Sequence, residues 1–487
     1  MAHPQICVAV TGATMDDIRR NRDAAEGADM VEMRLDTVDR PDAAGALEGR
    51  RRPVIVTCRA AWEGGFFKGS EEERQRILEQ AITGGAEFVD LEARAAFAGD
   101  LLRSRRGRGV VLSSHVYGDM PADLENRWAA LQGSGAEVVK LAVEARSLSD
   151  SLRVMRLADA GDADASPGQV LIAMGDAGIA TRVLAGRLRN RWTYAGNGVA
   201  PGQFPVRQML GEFRFRDLRP STALYGVVGN PVMHSLSPVM HNAGFRHFGI
   251  DAVYLPLLAA DAGDFVRFAK ATGMSGVSIT APFKVALMDA ADELEPLARR
   301  VGAINTLIMK DGRWCGANTD VYGFSAPLSS RIALRGIRAS ILGAGGAARA
   351  VAVALGDMGA VVTVCARRRE AAQEIVDAVG ATSGSVGDFP PRPGSWDVLV
   401  NTVTPEGHAG SHSPIEGAAL DGEIVFDLTY VPAETQLLAD ARAAGCMTIG
   451  GLEMLVAQAE RQFELWTGQR PPAGLFASAA IAGGAGS

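Results

Sequence analysis

The chain has 487 residues, 47% hydrophobic and 22% charged, which at about 150 residues per domain predicts roughly three compact globular units. A net charge of −7 without a long basic run excludes a polyanion-binding surface, so nucleic acid is not an expected partner. No 18-residue apolar span occurs, and MAHPQICVAVTG enters a strand at once without a basic leader, so a cytoplasmic enzyme with no membrane partner is expected. Cys7, Cys58, Cys315, Cys365 and Cys446 are scattered without CxxC or His-rich spacing, the pattern of free thiols in a reducing compartment and not of a metal site.

In chain order, short β-branched apolar runs come first: QICVAVTG, MVEMRLD, PVIVTCR, FVDLEA, GVVLSSHV, EVVKLAV, QVLIAMG and RWTYAG. Most are separated by helix-suited stretches such as SEEERQRILEQAITGG and LENRWAALQGSG. This alternation predicts parallel strands with crossover helices, and eight such units in about 200 residues fit a small (β/α)8 TIM barrel, an open doubly wound sheet being the alternative.

A barrel of this kind places its active site at the C-terminal strand ends. Those ends carry Glu32 and Arg34 (VEMRLD), Arg59 (VTCR), His115 (LSSHV) and Lys140 (VVKLAV), with Arg182 just after the seventh strand. Lys140 has apolar residues on both sides in sequence, and burying an ammonium among them favours loss of its proton. The resulting neutral amine is a carbonyl-seeking nucleophile. Singly, each residue has an ordinary reading: a lysine snorkelling off a strand end, arginines in surface ion pairs, a satisfied core histidine. Together they describe a cationic pocket for a carboxylate that also contains a lysine and a histidine, a set suited to removing a proton alpha to a carbonyl.

The strings EMRLD, TCRAAWEGG, SSHVY, VVKLA and VAPGQF resemble type I 3-dehydroquinate dehydratase along roughly 1–212. The resemblance implies Lys140 as Schiff-base residue and His115 as general acid/base, with no cofactor. It also implies substrate contacts from Glu32, Arg34, Arg59, Glu63, Arg182 and Gln203. One departure stands out: the family's lid motif has a serine four residues before the glutamine, where this chain has Val199, removing one hydroxyl contact.

GEFRFRDLRPST (211–222) reads as a polar connector, about 213–221, ahead of the second part. YGVVGNPVMHSLSPVMHNAGF (225–245) is a strand, a serine-rich turn and a helix opening at Pro238, for which Ser235 or Ser237 can serve as N-cap. GVSITAPFKVALM brings Thr280 and Lys284, AINTL brings Asn305, and GANTDVYGF brings Asp320. Hydroxyls, an amide, a lysine and a carboxylate are the partners a cyclic hydroxy acid needs.

RASILGAGGAARAVAVAL (338–355) is an apolar strand, a glycine-rich turn and an Ala-rich helix, and Gly343-x-Gly345-x-x-Ala348 fits the dinucleotide fingerprint in its Ala-ending form. At the end of the next strand, VVTVCARRRE, Arg367, Arg368 and Arg369 stand where NAD binders place an acidic residue. Arginines suit a 2′-phosphate, so NADP is expected.

With VLVNTVTPEG, VFDLTYVP and GGLEMLVAQAERQFELWTG, these motifs resemble shikimate dehydrogenase across 222–470. The resemblance implies Lys284 and Asp320 as the catalytic pair and Ser235, Ser237, Thr280, Asn305, Tyr430 and Gln458 as substrate contacts. Cofactor contacts fall to Gly343, Ala344, Gly345, Gly346, Ala347, Arg367, Arg368, Gly451 and Met454. Motif order predicts a substrate lobe from 222–320 plus 450–487 and a Rossmann-like NADP lobe from 321–449, with a frayed Gly/Ala tail. The two resemblances imply a shikimate-pathway enzyme of aromatic amino acid biosynthesis. Its barrel would dehydrate 3-dehydroquinate to 3-dehydroshikimate, and its second unit would reduce that product with NADPH to shikimate. An NAD-dependent quinate/shikimate dehydrogenase fusion and a non-catalytic quinate sensor are the alternatives, and oligomeric state stays open.

Overall fold

The computed structural model describes residues 3–160, 167–196, 198, 201–379, 384–403, 413–415 and 420–484; the expectation about Val199 lies outside them. The chain forms two compact units, Met1–Ala223 with Asp251–Thr272, and Leu224–Ile250 with Gly273–Ser487. Among the described residues no helix is long and apolar enough to cross a membrane.

In the first unit the eight apolar runs become parallel strands: β1 (Gln5–Val10), β2 (Met30–Arg34), β3 (Val54–Thr57), β4 (Phe88–Glu92), β5 (Val110–Val116), β6 (Val138–Glu144), β7 (Gly168–Met174) and β8 (Trp192–Ala195). They run β7-β6-β5-β4-β3-β2-β1-β8, each pair in register over three or more residues. The ring closes between β7 and β8 without a regular ladder. Arg191 N donates to Gln169 O at 2.8 Å, and the Asn190 side-chain amide takes the place of a strand, its Oδ1 accepting from Leu171 N at 2.9 Å and its Nδ2 donating to Leu171 O at 3.0 Å. The TIM barrel expected from strand–helix alternation is therefore present, and the open sheet is not.

Strand side chains alternate in direction, so every second residue points into the barrel. The inward floor is apolar: Met30, Ile55, Phe88, Val111, Val138, Val170 and Trp192 belong to one core cluster, with the Phe88 and Trp192 rings 5.6 Å apart. Two residues further along six of these strands the inward set turns polar, with Glu32, Thr57, Asp90, Ser113, Lys140 and the phenol of Tyr194, all buried, while β7 stays apolar at Ile172. The helices start where their polar signals predict: Ser70 caps Glu71–Thr83 in a capping box with Glu73, and Ser147 does the same with Asp150 for Leu148–Arg156. The segment β10 (Ala252–Leu258) and helix Ala262–Thr272 groups with this unit. There the buried Asp264 carboxylate accepts from Leu148 N and Ser149 N at 3.0 and 2.8 Å.

The connector is less polar than its sequence suggests, because Phe213, Phe215 and Leu218 are buried and Phe213 packs 4.9 Å from Phe204. In the second unit β9 (Ala223–Gly229), β11 (Gly276–Ile279), β12 (Glu293–Leu294), β13 (Thr306–Lys310) and β14 (Arg313–Ala317) form a mixed sheet, β9-β11-β13-β14-β12. A second sheet of β15 (Arg338–Leu342), β16 (Val361–Cys365), β17 (Gly384–Gly387), β18 (Val398–Asn401), β19 (Ile424–Asp427) and β20 (Met447–Gly450) is wholly parallel in the order β17-β16-β15-β18-β19-β20. That is the doubly wound dinucleotide-binding order, with its reversal between β15 and β18.

Two local expectations are overturned. Helix Ser237–His247 has Leu236 at its N-cap and no side-chain cap; Ser235 Oγ instead accepts from Ser237 N at 3.2 Å in the preceding turn. The expected frayed tail is helix Leu475–Gly484, because an alanine-rich run favours helix and the fully buried Phe476 anchors it 5.6 Å from Phe463.

Candidate active sites

Lys140 is the third residue of β6, not its end, so it sits one layer below the barrel mouth, paired in register with Ser113 and Val170. Its apolar sequence neighbours face the helices. The residues that surround the amine come from other strands: Nζ lies 3.1 Å from Asp90 Oδ2, 3.6 Å from Glu32 Oε2 and 3.0 Å from Tyr194 Oη. The expectation of an ammonium among apolar groups is thus corrected. An unpaired charge at this depth would cost several kcal/mol, and the carboxylates compensate it.

Arg59 takes part in the same network. Its Nη1 lies 3.0 Å from Asp90 Oδ1, 3.1 Å from Glu92 Oε1 and 2.9 Å from Ser113 Oγ. Burial opposes ionisation of Asp90, yet Arg59 and Lys140 hold its carboxyl well below the usual carboxylate range. Arg34 is likewise committed, in a bidentate pair with Asp36 at 2.8 and 2.7 Å. The cationic pocket read from sequence therefore contains fewer free cations than expected. Among the described residues Arg182 has no carboxylate partner: Nη2 donates to Pro201 O at 3.0 Å, and Nε is buried without a hydrogen bond. Burial lowers its pKa to about 10. A buried guanidinium with an unused N–H is a receptor for a carboxylate.

His115 lies on β5, two residues beyond Ser113 and so on the same inward face. Glu63, on the turn after β3, accepts from His115 N at 2.8 Å and meets Nδ1 at 3.0 Å through the same oxygen. Burial pushes Glu63 up to about 7 and His115 well below its ordinary value. The contact is thus a hydrogen bond from a neutral imidazole to a carboxyl that ionises near neutrality, not an ion pair. With the hydrogen on Nδ1, Nε2 keeps its lone pair and can take a proton. Gln203 lies half-buried beyond Pro201. A cavity of about 1010 Å³ among the first three loops is lined by Arg34, Asp36, Phe66 and Lys68, but not by Lys140 or His115.

Asp90, Glu92, Ser113 and Tyr194 were missed in the sequence. Their signal was parity: Asp90 and Glu92 follow Phe88 at spacing two in β4, and Tyr194 follows Trp192 at spacing two in β8.

In the second unit Lys284 Nζ donates to Asp320 Oδ2 at 2.6 Å. Asn305 Nδ2 donates to Asp320 Oδ1 at 2.8 Å and to Gln458 Oε1 at 3.3 Å, while Asn318 Oδ1 accepts from Asp320 N at 3.0 Å. Asp320 opens helix Asp320–Ser329, which packs on helix Gly451–Thr467. A Cβ on Gly323 would lie 2.6 Å from Gln458 Cβ and 2.9 Å from Met454 O, so only glycine lets the two helices bring these groups together. Ser235 and Ser237 follow β9, and Thr280 follows the adjacent parallel β11, so all three lie off one sheet edge. Tyr430 is half-buried after β19, where burial raises its pKa.

The fingerprint has the structural context it requires. β15 ends at Leu342, Gly343 adopts φ 105°, and helix Gly346–Asp357 starts from Gly345 with no side-chain cap. Its first N–H groups are thus left for an anion, and a Cβ on Gly345 would meet nothing within 4 Å. A Cβ on Gly346 would come 3.2 Å from Lys284 Cβ and Cδ, so the lysine's stem lies against this helix start. Arg367, Arg368 and Arg369 are exposed just beyond β16, and Gly451 and Met454 open the helix after β20.

Residues 6–219 match the family of type I 3-dehydroquinases. Residues 227–307 match the shikimate dehydrogenase substrate binding domain, and 451–481 the shikimate 5′-dehydrogenase C-terminal domain. A bifunctional 3-dehydroquinate dehydratase/shikimate dehydrogenase of Arabidopsis thaliana is 32% identical over 97% of this chain and 83% of its own length. An NADP(+) shikimate dehydrogenase of Bacillus cereus is 42% identical over 51% of this chain and 94% of its own. The crystal structure of a shikimate dehydrogenase from Aquifex aeolicus matches with a TM-score of 0.50 at 32% identity, covering 54% of this chain and 98% of that one.

Proposed function

The chain belongs to the family of bifunctional 3-dehydroquinate dehydratase/shikimate dehydrogenases, and from that premise we propose how its residues divide the work. It is a lyase and an oxidoreductase of the shikimate pathway. The observation that carries the dehydratase assignment is the buried Lys140 amine, held among Asp90, Glu32 and Tyr194. Its nitrogen passes a proton to a neighbouring carboxylate, Asp90 or Glu32, attacks the ketone of 3-dehydroquinate with the freed lone pair, and the proton returns as water leaves. Ammonium and ketone give a protonated imine and one water, with no proton left over. Nε2 of His115 removes a proton from the carbon next to the imine, and the bond's electrons move to the iminium nitrogen. The resulting enamine expels the neighbouring hydroxyl, which leaves as water with the proton His115 took; hydrolysis of the imine then releases 3-dehydroshikimate. Arg182 holds the substrate carboxylate, supported by its unpaired buried Nε. Arg59, Glu32 and Glu63 orient the reacting groups, and Arg34 and Gln203 contact the substrate. This half needs no cofactor.

For the second activity Lys284 gives a proton to the ketone oxygen of 3-dehydroshikimate, and Asp320, fixed by Asn305 and Asn318, holds lysine and substrate hydroxyl in register. Ser235, Ser237, Thr280, Tyr430 and Gln458 hold the remaining polar groups of the substrate. The dinucleotide, when bound, supplies the hydride. The uncapped helix start at Gly343–Ala347 fits its pyrophosphate, and Gly451 and Met454 fit its nicotinamide end. Arg367 and Arg368 select the 2′-phosphate, in line with the NADP(+) dependence of the Bacillus cereus relative. The domain boundaries that go with this reading are 1–212, a linker at 213–221, a substrate lobe of 222–320 plus 450–487 and an NADP lobe of 321–449.

The deciding experiment is borohydride trapping with 3-dehydroquinate followed by peptide mapping. A reduced adduct on Lys140 is expected, and a trapped protein without one on that peptide removes the assignment.

A further inference from the structure

Tyr194 is given no step in the mechanism above, yet its hydroxyl touches the reacting nitrogen. We propose that Tyr194 is a further residue of the dehydratase centre, its phenol oxygen holding the Lys140 nitrogen as ammonium before reaction and as protonated imine after it. The proposal rests on the reading of Lys140 as the Schiff-base residue.

The geometry gives the phenol one orientation. Oη lies 3.0 Å from Lys140 Nζ and accepts from it, and the same nitrogen lies 3.6 Å from Oε2 of Glu32, whose Oε1 is fixed by Thr57 Oγ1 at 2.7 Å. A phenol has one hydrogen to give and lone pairs to accept with. Lys140 Nζ is the donor in that contact, so a lone pair of the phenol faces the nitrogen and its hydrogen points away from it. Burial pushes the Tyr194 phenol well above its ordinary pKa, so it stays neutral and does not take the lysine's proton. The Tyr194 ring centroid lies 4.4 Å from Nζ, adding its negative face to the same cation.

The chemistry needs such a group. When the ammonium condenses with the ketone, nitrogen keeps one hydrogen and a positive charge, and the two other hydrogens leave in the water formed. That remaining N–H must keep an acceptor throughout proton removal, since the electron pair released from carbon flows only into a protonated imine. Asp90 lies at a similar distance, but Arg59 and Ser113 also bond to it. Tyr194 offers the nitrogen an acceptor that adds no second full charge.

The test is Tyr194→Phe in the full chain, which keeps the ring and the volume and removes the hydroxyl. Borohydride with 3-dehydroquinate is expected to trap the Lys140 adduct still, while kcat for dehydration falls about tenfold and KM moves less than about threefold. Losing the acceptor destabilises the charged imine, so the alkaline limb of kcat against pH shifts to lower pH. A residue that only packs would leave that limb in place. Unchanged kcat together with an unmoved limb overturns the proposal while wild-type trapping at Lys140 stands. If the wild-type protein gives no adduct at Lys140, the underlying reading falls and this inference with it. Replacing the tyrosines with 3-fluorotyrosine serves where Tyr194→Phe loses its fold: the weaker acceptor is expected to move the limb the same way by a smaller step, and no movement overturns the proposal.

Discussion

The two lysines proposed to react in this chain stand in different surroundings. Lys140 is a strand residue with a side chain 5% exposed, held by two carboxylates and a phenol from three other strands. Lys284 lies in the turn after β11 with a side chain 17% exposed, bonded to Asp320 and leaning on the start of the alanine-rich helix after the glycine-rich turn. On the proposed assignment the first site encloses an amine that becomes covalently attached, and its surroundings must then accommodate ammonium, imine and water in turn. On the same assignment the second needs only to give and regain a proton beside a cofactor that arrives and leaves, in keeping with its greater exposure and its single ion pair. A lysine's surroundings, more than its position in sequence, set which chemistry it performs.

The contrast can be broken most sharply at the covalent residue. Lys140→Arg keeps the charge and removes the imine-forming amine, so dehydration is expected to fall by about 10⁴-fold or more, with the reductase rate of the same preparation unchanged. Both rates are read from separate assays of the purified chain, and a loss under about tenfold would remove lysine from covalent catalysis. Asp320→Asn acts on the other lysine: kcat for reduction is expected to drop by about 10²-fold, leaving dehydration intact. Arg367→Ser with Arg368→Ser sharpens the cofactor half, raising KM for NADPH by about 10- to 100-fold while KM for NADH moves little. Equal changes for both dinucleotides would take the arginines away from the 2′-phosphate.

Glu63 gives a pH handle confined to the first site. Its carboxyl ionises at about 7, and only the ionised form accepts fully from Nδ1 of His115, so kcat/KM for dehydration is expected to rise as pH passes upward through about 7. Glu63→Gln cannot ionise. It should lower the plateau by about tenfold and abolish that rise, which a pH series of initial rates would record.

The residues proposed to carry the chemistry stand in short strings that a single sequence can show: Lys140 in VVKLAV, His115 in LSSHV, Lys284 in APFK and Asp320 in ANTD. The glycine-rich turn also carried its structural context on both sides, strand before and helix after. What surrounds Lys140 was not legible, because Asp90 and Tyr194 are 50 and 54 residues away in sequence and meet it only when the sheet closes. The free charge of Arg59 was overestimated for the same reason, since Glu92 and Asp90 reach it across strand pairings, whereas that of Arg34 was overestimated although its partner Asp36 stands two residues on. At Ser235 and Ser237 a local capping rule lost to the turn that precedes the helix, and at the C-terminus one buried aromatic, Phe476, outweighed a composition that suggests fraying.

The barrel is, mechanically, a ribbon rolled up and fastened by one stitch. β8 is zipped to β1 by a regular ladder, while on its other side an isolated bridge between Gln169 and Asn190, the Asn190 side chain on Leu171 and the Gln169 side chain on Leu188 O are what reach across to β7. The wall that bears Tyr194 can therefore yield without tearing a ladder, and deuterium uptake is expected to be faster at the Leu171 and Arg191 amides than at amides inside the β5–β6 ladder. Compliance at this stitch would let the ring loosen around a substrate that is, for part of each turnover, bonded to its wall.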